Sequence, residues 1–361
     1  MGGATLALGR AMRARGHDIA YFGFAEAFPR GEPFESRLRF PWRLSGHLRQ
    51  RAREFDIVDA SSGDAWVWLL HKRRPSLVVT RAHGLEHAAH EALMLRVRRG
   101  DAAVTWRYRF YTGGYRLWEV RRSIQHADGV VVLNDHDKRA VEDQMHVPDA
   151  RVLLADNGVS EAFRSLPPPD ETSSAVRPLG IVCIGSWIPR KGTSTVTAVA
   201  AALASRGVPF RLEILGSGVS EPHVLAAFDP ELRPSVRVVR AYSPGDLPRL
   251  LAGAQLLLHA SWSEGFSLAL AEGMACGLAP IASTAGAAPR LVRDGETGLL
   301  IRSDDPRTFA DAIVRLESDR RTMHRLRLGA YAAVQSLTWP RIAEDLELFY
   351  LRLDGMRRNP P

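Results

Sequence analysis

Short apolar runs alternate with helix-length amphipathic stretches along almost the whole chain. The runs at 19–22, 57–58, 77–80 and 130–133 are rich in β-branched or aromatic residues and read as strands. The same pattern resumes at 179–184, 211–215, 236–239, 256–258 and 280–283. Strands separated by helix-length segments are the sequence form of repeated βαβ units, so an α/β fold with parallel sheets is predicted. Residues 166–178 break the rhythm. Pro167, Pro168 and Pro169 lack backbone donors and hold φ fixed, and polar residues follow them. This stretch reads as a linker. The pattern thus predicts two α/β domains, at 1–165 and 179–335, and a closing segment over 336–361 whose amphipathic helix runs from 342 to 353.

The start of the chain departs from this rhythm. Residues 4–15 read as a helix stopped by Gly16. Gly2 and Gly3 stand where a strand normally turns into the first helix of a nucleotide-binding domain, but no apolar run precedes them. The first strand of such a sheet is central, so about 5–10 residues forming a strand are expected upstream. A sheet with one strand fewer, or one completed by another segment, is the alternative.

A length of 361 residues suits two domains, and 45% hydrophobic with 24% charged residues excludes a largely disordered chain. Two cysteines, Cys183 and Cys276, exclude a disulfide scaffold and read as buried reduced thiols. No apolar run reaches the roughly 18 residues of a membrane span, and the first residues lack the form of a secretory signal. A cytoplasmic protein is therefore expected. The formal net charge of +8 points to anionic partners. Arginine carries it: lysine occurs only as Lys72, Lys138 and Lys191, so a role for lysine is easily placed.

The segment from Ser261 to Gly277 is the most informative. It follows the apolar run at 256–258, and a helix is predicted from near Phe266 to the Gly277 stop. Glu264 precedes that helix, and Glu272 lies about 10 Å along its axis. Two acceptors so separated suit opposite ends of one nucleotide-sugar. The N–H groups of Phe266, Ser267 and Leu268, with the helix dipole, would face the diphosphate between them. The plainer alternative is a capping charge at Glu264 and a solvated Glu272. A second cluster joins a glycine turn at Gly185 to Arg190, Lys191 and the start of a helix at 194–205, as a diphosphate site requires. It lacks Walker-loop spacing, and a surface Arg-Lys pair is its plainer reading. Gly216 and Gly218 form a further glycine turn after the next strand, a weak signal alone.

Together these residues resemble the retaining family 4 glycosyltransferases of the GT-B fold. The resemblance rests on Glu264, Gly265 and Phe266, then Glu272 followed by Met274, Ala275, Cys276 and Gly277. It extends in order through Asn157 and Gly158, the Gly185–Gly192 loop, the Gly216 turn and residues 294–300. It implies two Rossmann-like domains facing across a cleft, with the C-terminal helix crossing back to the N-terminal domain. It also implies a donor site for a nucleotide-diphosphate sugar in the C-terminal domain. There Lys191 would neutralise the diphosphate, Glu272 would accept from the ribose hydroxyls and Glu264 would contact the donor sugar, with Gly185, Arg190, Gly216, Gly265, Phe266, Ser267 and Leu268 completing the site. In the N-terminal domain, the resemblance places Gly2 and Gly3 facing the phosphates and His83 near the donor sugar. Glu86 and His87 would help define the acceptor site. Without the family, His83 reads as a strand-end histidine satisfied by backbone. One departure stands out: the family usually has an arginine where this chain has Ser186. Arg190 is the candidate to supply that charge from another direction; otherwise phosphate binding is weaker or the chain is inactive.

The implied activity is transfer of a sugar, with retention of configuration, to a glycan, lipid-linked or cell-envelope acceptor. Lys191, Arg190 and the helix N-terminus would stabilise the departing diphosphate. No Asp-x-Asp pair stands beside this site, so neither metal nor cofactor is expected. The excess positive charge is concentrated before Arg164. Residues 37–53 hold six arginines and no acid, interleaved with Phe40 and Trp42, and residues 96–122 hold eight against Asp101 and Glu119. Val104, Tyr108, Tyr111, Tyr115 and Trp118 recur at helical spacing, either as core or as a face for anionic lipid. Peripheral association with the inner face of the plasma membrane is the expectation drawn from this cluster. No nucleic-acid motif accompanies the charge, so that partner is not expected. Two rivals stand beside the transferase: a nucleotide-sugar epimerase of the same fold, and a catalytically silent nucleotide- or glycan-binding protein.

Overall fold

The computed structural model describes residues 2–31, 36–302 and 305–359. It divides into two compact units, Met1–Gly158 with Trp339–Pro361, and Val159–Thr338. The first unit holds a parallel sheet in the order β1 (Ile57–Ser61), β2 (Leu77–Arg81), β3 (Gly129–Val132) and β4 (Val152–Leu154). Every residue of β2 and β3 is buried, as befits parallel strands covered on both faces. Strand β4 escaped the sequence pattern because three residues make too short a run. The predicted strand at 19–22 does not form. It has no ladder partner among the described residues, and a strand exists only where a neighbour takes its backbone hydrogen bonds.

The helix Gly3–Ala14 and the last helix, Trp339–Arg358, pack into one apolar cluster with this sheet, through Met12, Leu77, Val131, Ile342, Leu346 and Phe349. The closing helix therefore returns to the first unit, and it extends beyond 342–353 at both ends. Its approach needs Gly129, where a Cβ would lie 2.4 Å from Leu353 Cδ1. Tyr350 donates to Asp59 at 2.7 Å, and Asp59 also accepts from Arg81, so the helix is tied to β1 and β2.

The second unit holds six parallel strands: β5 (Leu179–Ile184), β6 (Phe210–Leu215), β7 (Val236–Val239), β8 (Leu256–His259), β9 (Ala279–Ser283) and β10 (Leu299–Ile301). The five predicted runs all become strands here. Their order is β10-β9-β8-β5-β6-β7. The chain winds away from β5 in both directions, and such a reversal opens a crevice beyond the carboxyl ends of the strands.

The predicted linker at 166–178 is a packed part of this unit. Asp170 accepts from Ser173 N at 2.7 Å and caps the short helix Glu171–Ala175, whose Ser174 is buried. Arg327 donates to Ser174 Oγ at 2.8 Å and to the Gly277 carbonyl at 2.7 Å, stapling the segment to the helix that carries Arg327. Proline chemistry marks the break in secondary structure, but buried hydroxyls and a buried guanidinium fasten it. The units accordingly divide after Gly158 and Thr338, earlier and later than the sequence boundaries at 165 and 335.

Candidate active site

In the second unit, β5 ends in a turn at Gly185, φ +133°, and the chain reaches Gly192, φ +74°, through the single turn Pro189–Lys191. Gly192 opens the helix Thr193–Ser205, and a Cβ there would lie 2.0 Å from the Ala260 carbonyl oxygen just after β8. This close approach brings the Lys191 loop against the loop that carries Glu264. Gly192→Ala is expected to cost about 2–3 kcal/mol, because the clash adds to an unfavourable φ. A urea midpoint unchanged from that of the parent would show that the loop yields freely.

Lys191 Nζ donates to Glu264 Oε1 at 2.5 Å, and Ser261 Oγ donates to the same oxygen at 2.7 Å. Arg190 donates to the Ser263 carbonyl at 2.8 Å and stands 3.6 Å from Glu264 Oε2. Arg190 and Lys191 are therefore both engaged with the loop that carries Glu264. Burial by itself raises the Glu264 carboxyl, but Lys191, His259 and the Lys191 and Ser261 hydrogen bonds outweigh it and hold the group below its ordinary range. Glu264 is thus ionised at neutral pH.

The following helix, Leu268–Ala275, starts later than predicted. Phe266 is buried in the core, and Ser267 is the N-cap in the left-handed region at φ +63°. Ser267 Oγ lies 3.1 Å from His259 Nε2. Burial, only partly opposed by Glu264, pushes His259 down to about 4, so the ring is neutral. The N–H groups of the first turn, which lack intrahelical acceptors, therefore begin with Leu268 and Ala269. Gly286, φ +59°, backs this loop: a Cβ on it would lie 2.5 Å from the Gly265 carbonyl and 2.7 Å from Glu264 Cβ.

Glu272 sits on the same helix, half-buried, and burial raises its carboxyl to about 7. Glu272 is thus partly withdrawn from solvent rather than fully solvated. Tyr242 lies close enough for Glu272 to add to the effect of burial, which raises the phenol to about 12. A Cβ on Gly216, φ +76°, would meet the Tyr242 ring at 3.1 Å, so the glycine turn after β6 leads through Tyr242 towards Glu272. Ser186, where an arginine was expected, is exposed. Among the described residues no group of three or more His, Cys, Asp or Glu side chains is arranged to hold a metal ion.

The remaining candidates belong to the first unit. Gly2 is the extended N-cap of the helix that Gly3 begins, and a Cβ on either would meet nothing within 4 Å. Internal packing thus makes no demand for glycine at either position. His83 follows β2, and its imidazole is lowered by partial burial and then by Arg81. Glu86 accepts from Arg116 at 3.3 Å, and Arg116 also reaches Asp64 and Glu119, so Glu86 is part of an ion-pair cluster. The other oxygen of Glu86, and Nδ1 of His87, are buried without a hydrogen-bond partner. Burial lowers His87 to about 4. Sequence reasoning missed His259, Tyr242 and Gly286, and it gave Ser261 and Gly192 no role beyond membership of their motifs. Ser261, three residues before Glu264, was within local reach; Tyr242 and Gly286 meet the site only through tertiary structure.

Two parallel α/β units, one bearing a Lys–Glu ion pair and a helix N-terminus at its switch point, are the elements of a GT-B fold. Residues 2–163 match the family described as Glycosyltransferase Family 4, and residues 178–319 match Glycosyl transferases group 1. The chain belongs to glycosyltransferase family 4. The D-inositol 3-phosphate glycosyltransferase of Nocardioides sp. is 28% identical over 63% of this chain and 54% of its own length. The protein of the same description from Thermobispora bispora is 27% identical over 88% of this chain and 76% of its own. The chain thus spans about half the length of curated relatives such as the Nocardioides protein. Among solved structures, sucrose-phosphate synthase from Thermosynechococcus elongatus superposes with a TM-score of 0.70 at 20% identity, covering 94% of this chain and 82% of that one. HepE from Anabaena, in complex with UDP-glucose, gives 0.68 at 19% identity, covering 98% and 96%.

Proposed function

We propose that this glycosyltransferase moves a sugar from a nucleoside-diphosphate donor to a glycan or lipid-linked acceptor with retention of configuration, and without a metal or other cofactor. The observation that carries the reading is the Lys191–Glu264 pair, flanked by Arg190 and the start of the helix Leu268–Ala275. A leaving diphosphate develops negative charge, and preorganised cations with free N–H groups stabilise it as it forms. Arg190 stands beside Glu264, which supports its replacing the charge absent at Ser186. No side chain is assigned as a nucleophile. The acceptor hydroxyl attacks the anomeric carbon on the face from which the diphosphate departs, and a departing phosphate oxygen takes its proton. The UDP-glucose named with HepE and the inositol phosphate named for the relatives set the first donor and acceptor to try.

The test is a panel of nucleotide-sugars, with and without inositol phosphates and lipid-linked glycans, followed by NMR of the anomeric proton. Acceptor-dependent donor consumption with an unchanged anomeric configuration is expected. Donor consumption without acceptor would favour the epimerase, and donor binding without turnover the silent binding protein.

A membrane-bound acceptor is favoured by one further observation. The segment Tyr108–Tyr115 buries none of its residues, and Trp106 and Phe110 are 71% and 75% exposed among arginines. Exposed aromatic rings beside cations suit an anionic interface. Among the described residues no helix is long and apolar enough to cross a membrane. Flotation with vesicles rich in anionic lipid is expected to carry the protein up, and Trp106→Ser with Phe110→Ser to weaken it about tenfold or more. Equal flotation with neutral vesicles would count against the reading.

A further inference from the structure

Strand β8 ends at His259, a buried residue whose ladder partner is Ala282 of β9. Its Nε2 lies 3.1 Å from the hydroxyl of Ser267, the residue that opens the helix Leu268–Ala275. A neutral imidazole and a hydroxyl each offer a donor and an acceptor, so this bond forms in either tautomer. Ser267 is unusual for its place in two ways. Serine is a preferred N-cap because, with extended backbone, its hydroxyl accepts from an N–H of the first turn. Asn134, Asp170 and Asp319 cap their helices in this manner, each accepting from the N–H three residues on. The Ser267 side chain caps no N–H of its helix. Its backbone is left-handed, at φ +63° and ψ 75°, which is costly for a residue with a Cβ. The hydroxyl that would ordinarily close the helix is turned to His259 instead.

We propose that His259 is a positioning residue for the donor diphosphate: by holding the Ser267 hydroxyl it prevents the serine from capping its own helix, so that the first-turn N–H groups stay open to phosphate oxygens. The inference rests on the donor site proposed above. A serine oxygen and a phosphate oxygen compete for the same donors at a helix start. Released from His259, Ser267 returns to extended backbone and its Oγ accepts from Ala269 or Leu270, which steadies the helix and closes it to an anion. The end of β8 fixes the imidazole, and burial keeps it uncharged at neutral pH, so the bond does not come and go with protonation. A strained residue persists only where its surroundings hold it, and His259 is the side chain that holds Ser267. Glycine at 267 takes the left-handed backbone without cost and has no hydroxyl to cap with, so it needs no such partner.

The test is a cycle of His259→Leu, Ser267→Gly and the double variant, read by UDP affinity in calorimetry and by the backbone at 267 in crystals without ligand. His259→Leu is expected to weaken UDP binding about tenfold or more, the worth of one hydrogen bond to a charged group. Measured in the Ser267→Gly background, the same substitution should cost less than about threefold, since no hydroxyl is left to compete. In crystals of His259→Leu, Ser267 is expected to leave the left-handed region and to cap its helix. His259→Gln, whose amide nitrogen reaches the place of Nε2, should recover most of the affinity, and His259→Asn, one bond shorter, should not. Ser267 still left-handed and uncapped in His259→Leu would overturn the proposal. So would equal losses in the two backgrounds, which would make His259 a packing residue. If His259→Leu does not fold, the Asn and Gln variants decide: equal affinity in both refutes the role. A parent that binds no nucleoside diphosphate would end the donor reading, whereas the conformation at 267 is read without ligand and tests the hold of His259 by itself.

Discussion

Lys191→Ala is expected to lower kcat/KM for sugar transfer by about 10²–10³, the usual loss when one preorganised partner of a developing anion is removed. Lys191 is the cation in direct contact with Glu264, at 2.5 Å, and the loop that holds it is fixed by the contact of Gly192 with Ala260. Lys191 is the sole lysine of this unit's sequence, since Lys72 and Lys138 belong to the other unit. The variant also leaves Glu264, only 7% exposed, with the more distant Arg190 as its cation. Part of the loss could therefore be structural, and Lys191→Met combined with Glu264→Gln separates the two. The double variant removes both charges together, which is far gentler to a fold than leaving one buried charge unpaired. It is expected to melt near the parent temperature and still bind donor poorly by calorimetry. Donor affinity and turnover within twofold of the parent in Lys191→Ala would end the assignment of Lys191 to the diphosphate.

The second large effect is a pH dependence centred on Glu272. Burial raises its carboxyl from 4.5 to about 7, so ionisation falls steeply between pH 8 and pH 6. An acceptor for two ribose hydroxyls works best as a carboxylate. Donor affinity is therefore expected to drop about tenfold from pH 8 to pH 6, the fall in ionised fraction across a group titrating near 7. Glu272→Gln should bind more weakly at pH 8 and lose the slope. The stability effect has the opposite sense. The folded state holds this proton more tightly than the unfolded chain, so the contribution of Glu272 is fully present below about 4.5 and is lost as pH rises through about 7. Glu272→Gln should consequently flatten the decline of Tm between those values. A donor-binding profile in Glu272→Gln that still falls tenfold would assign the titration to another group.

Much of this site was legible before the fold. The Glu264 and Glu272 segment, the Lys191 loop and the glycine turns each follow an apolar run, and all those runs became strands of the second unit. The first unit was harder. Residues 19–22 have the composition of a strand, but pairing is not a property of a segment, and among the described residues no neighbour pairs with it. The proline-rich stretch at 166–178 misled for a similar reason. Proline limits backbone donors locally, while the staple through Arg327 comes from a distant helix. The aromatic stripe at 104–118 has the spacing of a core helix, yet Tyr115 and Trp118 remain exposed, since periodicity describes a face without saying what covers it.

The α/β class, the family and the residue types at the candidate site could be read along the chain, because strand propensity, glycine turns and charged side chains are local properties. Which of those residues meet followed from packing. Lys191 follows β5 and Glu264 follows β8, and they form an ion pair because the sheet sets β8 beside β5. The same packing lowers one glutamate by cationic contact and raises the other by burial. Distance and dielectric are fixed by strand order and core packing, and neither is written in the spacing along the chain.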